Sequence, residues 1–338
     1  MKNFLTKTLF ACLFLFFAGG AMAQDIHFSQ FYETPLYRNP ALAGIVSGDV
    51  RVQTVYRNQW NSIANAYKTS SLNAEYKMPI GGADDYITVA AQIFYDKAGT
   101  SNLTTTHFLP AVNYHKSISS TRNTYLSLAF MGGIVQRRFD RSKITTNSQY
   151  EGGGDGESFN ATNYSHFDGS VGMSLNSSFG ENAGNNFIVG AAYHHINKPR
   201  NAFYNNAGIT LKPKYVLSGA MKFSVTETSY LNIQADISRQ GTSQEIVGGM
   251  MYGIKIGQDW ERPDYVLHGG AFLRLNDAII PTIKIDYNPF SVGLSYDVNI
   301  SQLKTSSYGR GGFELSLTYV GFLDRDNSSL NAIRCPQY

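Results

Sequence analysis

Cysteine and tryptophan are scarce in this chain, with two of each among 338 residues. Cys12 lies in an apolar N-terminal stretch and Cys335 close to the C-terminus, so no framework of internal disulfides can staple the fold. A strong charge of either sign is also missing. The formal net charge is +3, and nothing in it points to a nucleic-acid partner. Beyond the N-terminal leader no apolar run is long enough for a transmembrane helix. Convincing helical periodicity and internal repeats are absent as well, which argues against a helical bundle or a solenoid. The apolar residues, 43% of the chain, must therefore be organised another way.

The leader sets the compartment. Lys2 and Lys7 supply a positive start, Leu9 to Ala18 an apolar core, and Ala21-Met22-Ala23 a small-x-small cleavage site. Cleavage near Ala23 would start the mature chain at Gln24 or Asp25 and lower the net charge to about +1. Cys12 lacks the small residues that follow a lipoprotein cysteine.

What the chain does have is alternation. Phe290-Ser-Val-Gly-Leu-Ser-Tyr-Asp-Val-Asn-Ile300 places a large apolar residue at every second position and a small or polar one between. Leu231–Ile237 and Ile283–Tyr287 repeat the pattern, with whole charges on the wet face. Successive strand side chains point to opposite faces, and strands of about ten residues suit a lipid-crossing barrel. Leu294 should then face lipid and reject charge. Ser295 should face the lumen and accept charge if the lumen is roomy. With 22 Tyr and 21 Phe, aromatic girdles are available for two lipid interfaces.

Turn signals such as Gly81-Gly82, Asn276-Asp277 and Asn288-Pro289 divide the chain into about 14 strands, from 49–60 through an eighth at 208–225 to a last at 311–322. The expected fold is all-β: a transmembrane antiparallel β-barrel of about 14 strands, with an N-terminal plug-like segment and a short C-terminal tail. The expected organisation is a signal peptide at 1–23, a segment at 24–48 packing at the periplasmic mouth or in the lumen, the outer-membrane barrel at 49–322 and a tail at 323–338. An even strand count returns both ends to one side. The longest connections, 139–161, 197–207 and 301–310, then share the side expected to be extracellular. Within the first, Tyr150 and Phe159 beside Asp155 and Glu157 form a candidate partner-docking surface, since aromatics among polar loop residues are common interface anchors.

Chemistry-bearing motifs are weak. The wet faces carry residues of both signs, among them Arg51, Arg57, Glu75, Asp236, Lys284 and Glu314, which reads either as a selectivity lining or as a stiffened polar interior. His194-His195 on a strand would point to opposite faces and could not jointly hold a metal. Asp324–Ser328 lacks the glycine and glutamate of a calcium loop, and Glu151–Glu157 lacks the Lys-Ser/Thr of a phosphate loop. No Ser/His/Asp set is placed by spacing. No catalytic residue, cofactor or metal ligand is expected.

The N-terminal segment carries a resemblance. Gln30-Phe-Tyr and Pro35-Leu-Tyr-Arg-Asn39-Pro40-Ala41-Leu-Ala-Gly44, followed by Tyr56-Arg57-Asn58-Gln59-Trp60, resemble the PorP/SprF family of the type IX secretion system. Cys335-Pro336 is similar to that family's Cys-Pro-Arg-aromatic ending, with Gln337 in the usual arginine place. The resemblance implies a Bacteroidetes-type integral outer-membrane protein of secretion and gliding that acts without catalysis. Its implied partners are periplasmic type IX secretion components and a secreted adhesin or filament with a C-terminal sorting domain, in a setting of outer-membrane lipid. A passive or hydrophobic-solute channel is the alternative from the residues themselves.

Overall fold

The computed structural model describes residues 25–59, 67–81, 84–144, 149, 152–153, 161–180, 184–203, 208–259, 263–301 and 310–323. Among them fourteen antiparallel strands form a closed barrel in sequence order, with the first strand, β1 (Val50–Gln59), pairing the last, β14 (Arg310–Gly321). That seam runs without a register shift from Val50↔Gly321 to Gln59↔Gly312. Closure matters because hydrocarbon satisfies no backbone N–H or C=O, so a sheet edge cannot face it. No helix among the described residues is long and apolar enough to cross a membrane. The expected signal peptide, Trp60, the candidate docking residues Tyr150, Asp155, Glu157 and Phe159, the tail from 324 onward, and Cys335 and Pro336 all lie outside the described residues.

Alternation is the rule of the barrel wall. In β13 (Phe290–Asn299) Val292, Leu294, Tyr296 and Val298 are exposed outward, while Ser295, Asp297 and Asn299 are buried inward. Of the wet-face residues expected from sequence, all those named above are buried and face inward. Ser295 is only 2% exposed and sits opposite Glu314, so an added arginine would meet a packed interior rather than a roomy one.

Aromatics collect near the strand ends. Toward the end that holds Val50 and Gly321, here the proximal end, Tyr76, Tyr114, Tyr252, Tyr265, Tyr287 and Tyr319 are exposed. Tyr265 stacks on Tyr287 at 4.9 Å. Toward the opposite, distal end the exposed set includes Tyr95, Tyr215, Tyr296 and Phe313. Two such belts fit the two interfaces of a bilayer.

Most strand boundaries lie within two residues of expectation, and one start differs by six. The eighth strand, β8 (Lys214–Thr226), begins later than 208 because Pro213 has no N–H to give to a ladder. Thr210 instead makes an isolated bridge with Arg200, and Leu211 N–H donates to Pro199 O (2.8 Å). The seventh, β7 (Asn186–His194), ends where His195 takes the left-handed conformation, φ 58°. The odd-numbered strands all end at the distal end, so the connections that follow them, including the three longest, start from that end.

Depth should set the penalty for charge on the outward face. Leu294→Arg, mid-strand, is expected to cost about 2–4 kcal/mol, and Phe290→Arg, at the strand end, about 0–1 kcal/mol. Equilibrium unfolding in phospholipid vesicles measures both, and equal costs would refute the lipid-facing assignment.

Candidate functional site on the inward faces of the strands

Residues 25–48 contribute no barrel strand. Pro35 and Pro40, which suit the first position of a helical turn and not the interior of a strand, each start a short helical element: α1 (Pro35–Arg38) and the 3-10 turn Pro40–Leu42, which follow an earlier 3-10 turn, Phe31–Glu33. Phe28, Phe31, Tyr32 and Leu36 are buried and Tyr37 is half-buried. Their partners are inward-facing residues of many strands. Phe31 and Tyr32 pack on Phe272, with ring centroids 5.5 and 5.1 Å away. Leu36 joins Leu109, Met131 and Val135, and Phe28 meets Val55 and Phe94.

Polar contacts hold the segment at several levels. Ser29 and Gln30 donate their backbone N–H groups to the two carboxylate oxygens of Glu314, at 2.6 and 2.7 Å. Arg57 lies 3.0 Å from both Glu314 and Asp297, and Arg274 also pairs with Asp297. Two arginines and two carboxylates thus neutralise one another around Ser29. Glu33 accepts from Lys284 Nζ and Gln53 Nε2, each at 2.8 Å. Arg38 pairs with Asp236 at 2.6 Å.

The Asn-Pro-Ala…Gly motif has a physical reason at each position. Asn39 Oδ1 accepts from Ala41 N–H (2.9 Å) and caps the turn, while Nδ2 donates to the carbonyls of Met173 and Ala191. Pro40 opens that turn, where no N–H is needed. The Ala41 carbonyl accepts from Asn113 and Ser174, both at 2.9 Å. Gly44 has φ 79°, and its N–H donates to Glu75 (2.8 Å), which also pairs with Arg51 at 2.8 Å. A Cβ at Gly44 would lie 1.9 Å from Thr88 Oγ1. Sequence reasoning missed the receiving side of this fit: a Cβ at Gly172 or Gly190 would come within 2.0 or 2.7 Å of the Asn39 amide, so these strand glycines form its notch. Of the other motif residues, Asn58 sits outward on β1, and Gln59 lines a distal cavity of about 210 Å³ with Asp25, Tyr37 and His107.

The histidine pair corrects the sequence reading. His194 faces inward, and the left-handed turn at His195 swings the second ring inward too, so both are buried. The His195 ring lies 2.8 Å from Asp168 through Nδ1 and 2.8 Å from Asp25 through Nε2. Burial works to lower its pKa, but the two carboxylates outweigh it and push it up to about 9. Burial likewise works to raise Asp25, and the His195 charge and hydrogen bond, with Lys214, hold it below the usual carboxylate range. Both ring nitrogens are occupied, which leaves neither as a general base. Among the described residues no three His, Cys, Asp or Glu side chains are grouped to hold a metal ion.

This pair makes the distal end of the segment pH-sensitive. A raised histidine stabilises fully below its ordinary 6.5 and loses the contribution as pH rises through about 9. The depressed Asp25 contributes above its ordinary 3.8 and loses the contribution in acid. Protection of the 26–28 amides, corrected for intrinsic exchange, should therefore fall between pH 6.5 and 9. His195→Gln should flatten that fall, and an unchanged profile in the variant would remove His195 as the cause.

Comparison with known proteins adds identity to this geometry. Among solved structures the chain is similar to the P. putida toluene transporter TodX at 10% identity, with 83% of this chain and 92% of that one covered and a TM-score of 0.44. A deltaS2 mutant of the TodX monoaromatic hydrocarbon channel gives 10% identity, 85% and 93% coverage and a TM-score of 0.47. A mutant Rh. blastica porin gives 8% identity, 80% and 98% coverage and a TM-score of 0.33. No curated protein matches. The family model for the type IX secretion system membrane protein PorP/SprF matches residues 21–319, and with most of its length matched the chain belongs to the PorP/SprF family of outer-membrane barrels.

Proposed function

We propose that this barrel is a non-catalytic component of type IX secretion or gliding that anchors, or assists the surface display of, a secreted adhesin or filament bearing a C-terminal sorting domain. In this reading it also links that cargo to periplasmic secretion components. One observation carries the preference over a channel. The inward carboxylates of Glu314, Asp236 and Glu75 are taken up by backbone or side-chain groups of residues 29–44, so the barrel's polar interior serves its own N-terminal segment. An open pore would leave such groups to water and solute.

The organisation that follows has a leader cleaved near Ala23, residues 24–48 acting as a plug, the barrel at 49–322 and a tail at 323–338 carrying Cys335 and Pro336. Cargo would dock on the distal connections, with Tyr150, Asp155, Glu157 and Phe159 as contact residues. The PorP/SprF family supports the secretion role, and the length of the distal connections supports their facing outward.

Affinity purification of the tagged mature protein from native membranes should recover a secreted protein with a C-terminal sorting domain or periplasmic secretion components. Shortening 145–160 should keep the heat-modifiable barrel and reduce partner retention at the cell surface. In planar bilayers the intact protein should conduct far less than a porin. Steady porin-like conductance with no copurifying partner would favour the channel reading instead.

A further inference from the structure

The outward face of a membrane barrel is apolar at mid-depth, and this one follows that rule until one row near the distal end. There Lys68 of β2 (Tyr67–Ile80), Lys97 of β3 (Asp85–Ala98), Thr104 of β4 (Leu103–Ser119) and Arg138 of β5 (Thr124–Arg138) align across four neighbouring strands. Their parity matches the exposed residues Ile93, Phe108 and Ile134, so all four point away from the lumen. Lys68 and Lys97 are direct cross-strand partners, a placement that like charges disfavour unless an anion lies between or beside them.

A cavity of about 480 Å³ opens on this row, lined by Tyr95, Lys97, Arg138, Asp140 and Arg141 among others. Arg141 stands in the 3-10 turn Arg141–Lys143, which the Asp140 carboxylate caps by accepting from Ser142 N–H (3.1 Å). Asp140 is thus engaged with its own turn, and Lys97, Arg138 and Arg141 dominate the charge of the cavity. The next row toward mid-membrane is Ser70, Tyr95, Thr106 and Gln136, and the row after it is apolar at Leu72, Ile93, Phe108 and Ile134. Across two strand spacings, Lys97 and Arg138 stand about 10 Å apart, wide enough to flank a phosphorylated sugar headgroup.

We propose that this groove binds the phosphate of a phosphorylated glycolipid of the outer leaflet, with acyl chains lying along Tyr95, Ile93, Phe108 and Ile134. The occupant must carry both an anion and long apolar chains, because the apolar strip lies on the same outward face, one polar row in from the charged row. The distal connections are the long ones, which bacterial barrels direct outward, so the row meets the outer leaflet, where phosphorylated glucosamine lipids of the lipid A type reside. Arginine and lysine together supply the bidentate and point-charge contacts that phosphate favours. The inference rests on outer-membrane placement and not on the identity of any secreted cargo.

The test uses the full mature chain in detergent micelles, with lipid retention read by native mass spectrometry. Bis-phosphorylated lipid A should be retained, and dephosphorylated lipid A and phosphatidylglycerol should each be retained at least about tenfold less, as expected for a charge-assisted phosphate site. Combining Lys68→Gln, Lys97→Gln and Arg138→Gln should cut lipid A retention by about tenfold or more, whereas Lys116→Gln, on an outward position near the proximal end, should leave it unchanged. Heat modifiability on gels checks that each variant still folds, and Arg138→Gln alone serves if the triple variant does not. Equal retention of the dephosphorylated lipid or of phosphatidylglycerol would overturn the proposal. So would full displacement by millimolar inorganic phosphate, or unchanged retention in the folded variants.

Discussion

Hydrocarbon offers no partner to a peptide N–H or C=O, and the rest of this structure depends on that constraint. It forces the sheet to close, which the Val50↔Gly321 to Gln59↔Gly312 seam does without a bulge. Closure in turn separates two environments at every strand. Outward positions must be apolar, and inward positions are free to be polar because lipid never reaches them. Period-two alternation is the sequence trace of that division. Once charges such as Arg57, Asp297 and Glu314 sit inward and away from bulk water, each needs a counter-charge or hydrogen bonds, since an unpaired buried ion is costly.

Those partners come from two sources. Neighbouring strands supply some: Arg51 and Glu75 are direct cross-strand partners and pair at 2.8 Å. The N-terminal segment supplies others, through Arg38 to Asp236, Glu33 to Lys284, and the Ser29 and Gln30 amides to Glu314. Its aromatic rings fill the spaces between charged sites, as Phe31 and Tyr32 do against Phe272. Polar pairs set the register and ring packing adds apolar burial. The segment's conformation is thereby tied to residues spread around the whole ring.

The strands were legible because alternation is a local signal, repeated every second residue and interrupted by turns. The inward set was legible for the same reason, down to Asp297 and Glu314. What sequence could not show is which inward residue meets which part of the N-terminal segment. Ser29 and Glu314 stand 285 residues apart, and no local pattern links them. The notch for Asn39 is made by Gly172 and Gly190, glycines that read alone as ordinary strand interruptions. Strict alternation puts His195 on the face opposite His194, but the strand ends at His194 and a positive φ at His195 reverses the side-chain direction. The late start of β8 had a visible cause in Pro213, whose missing N–H marks the boundary.

The distribution of polar groups also weighs on what kind of membrane protein this is. A conduit for apolar solutes needs a continuous apolar path. Here the inward apolar residues form separate clusters around Phe31, Leu36, Leu42 and Phe28, each including a side chain of the N-terminal segment itself. Between the clusters stand charged pairs whose partners are already engaged. His195, for its part, holds a carboxylate at each ring nitrogen. The inward side chains that meet residues 28–44 thus come from strands all round the barrel, and under the proposed anchoring role the two ends and their rims are the surfaces on which a partner would dock.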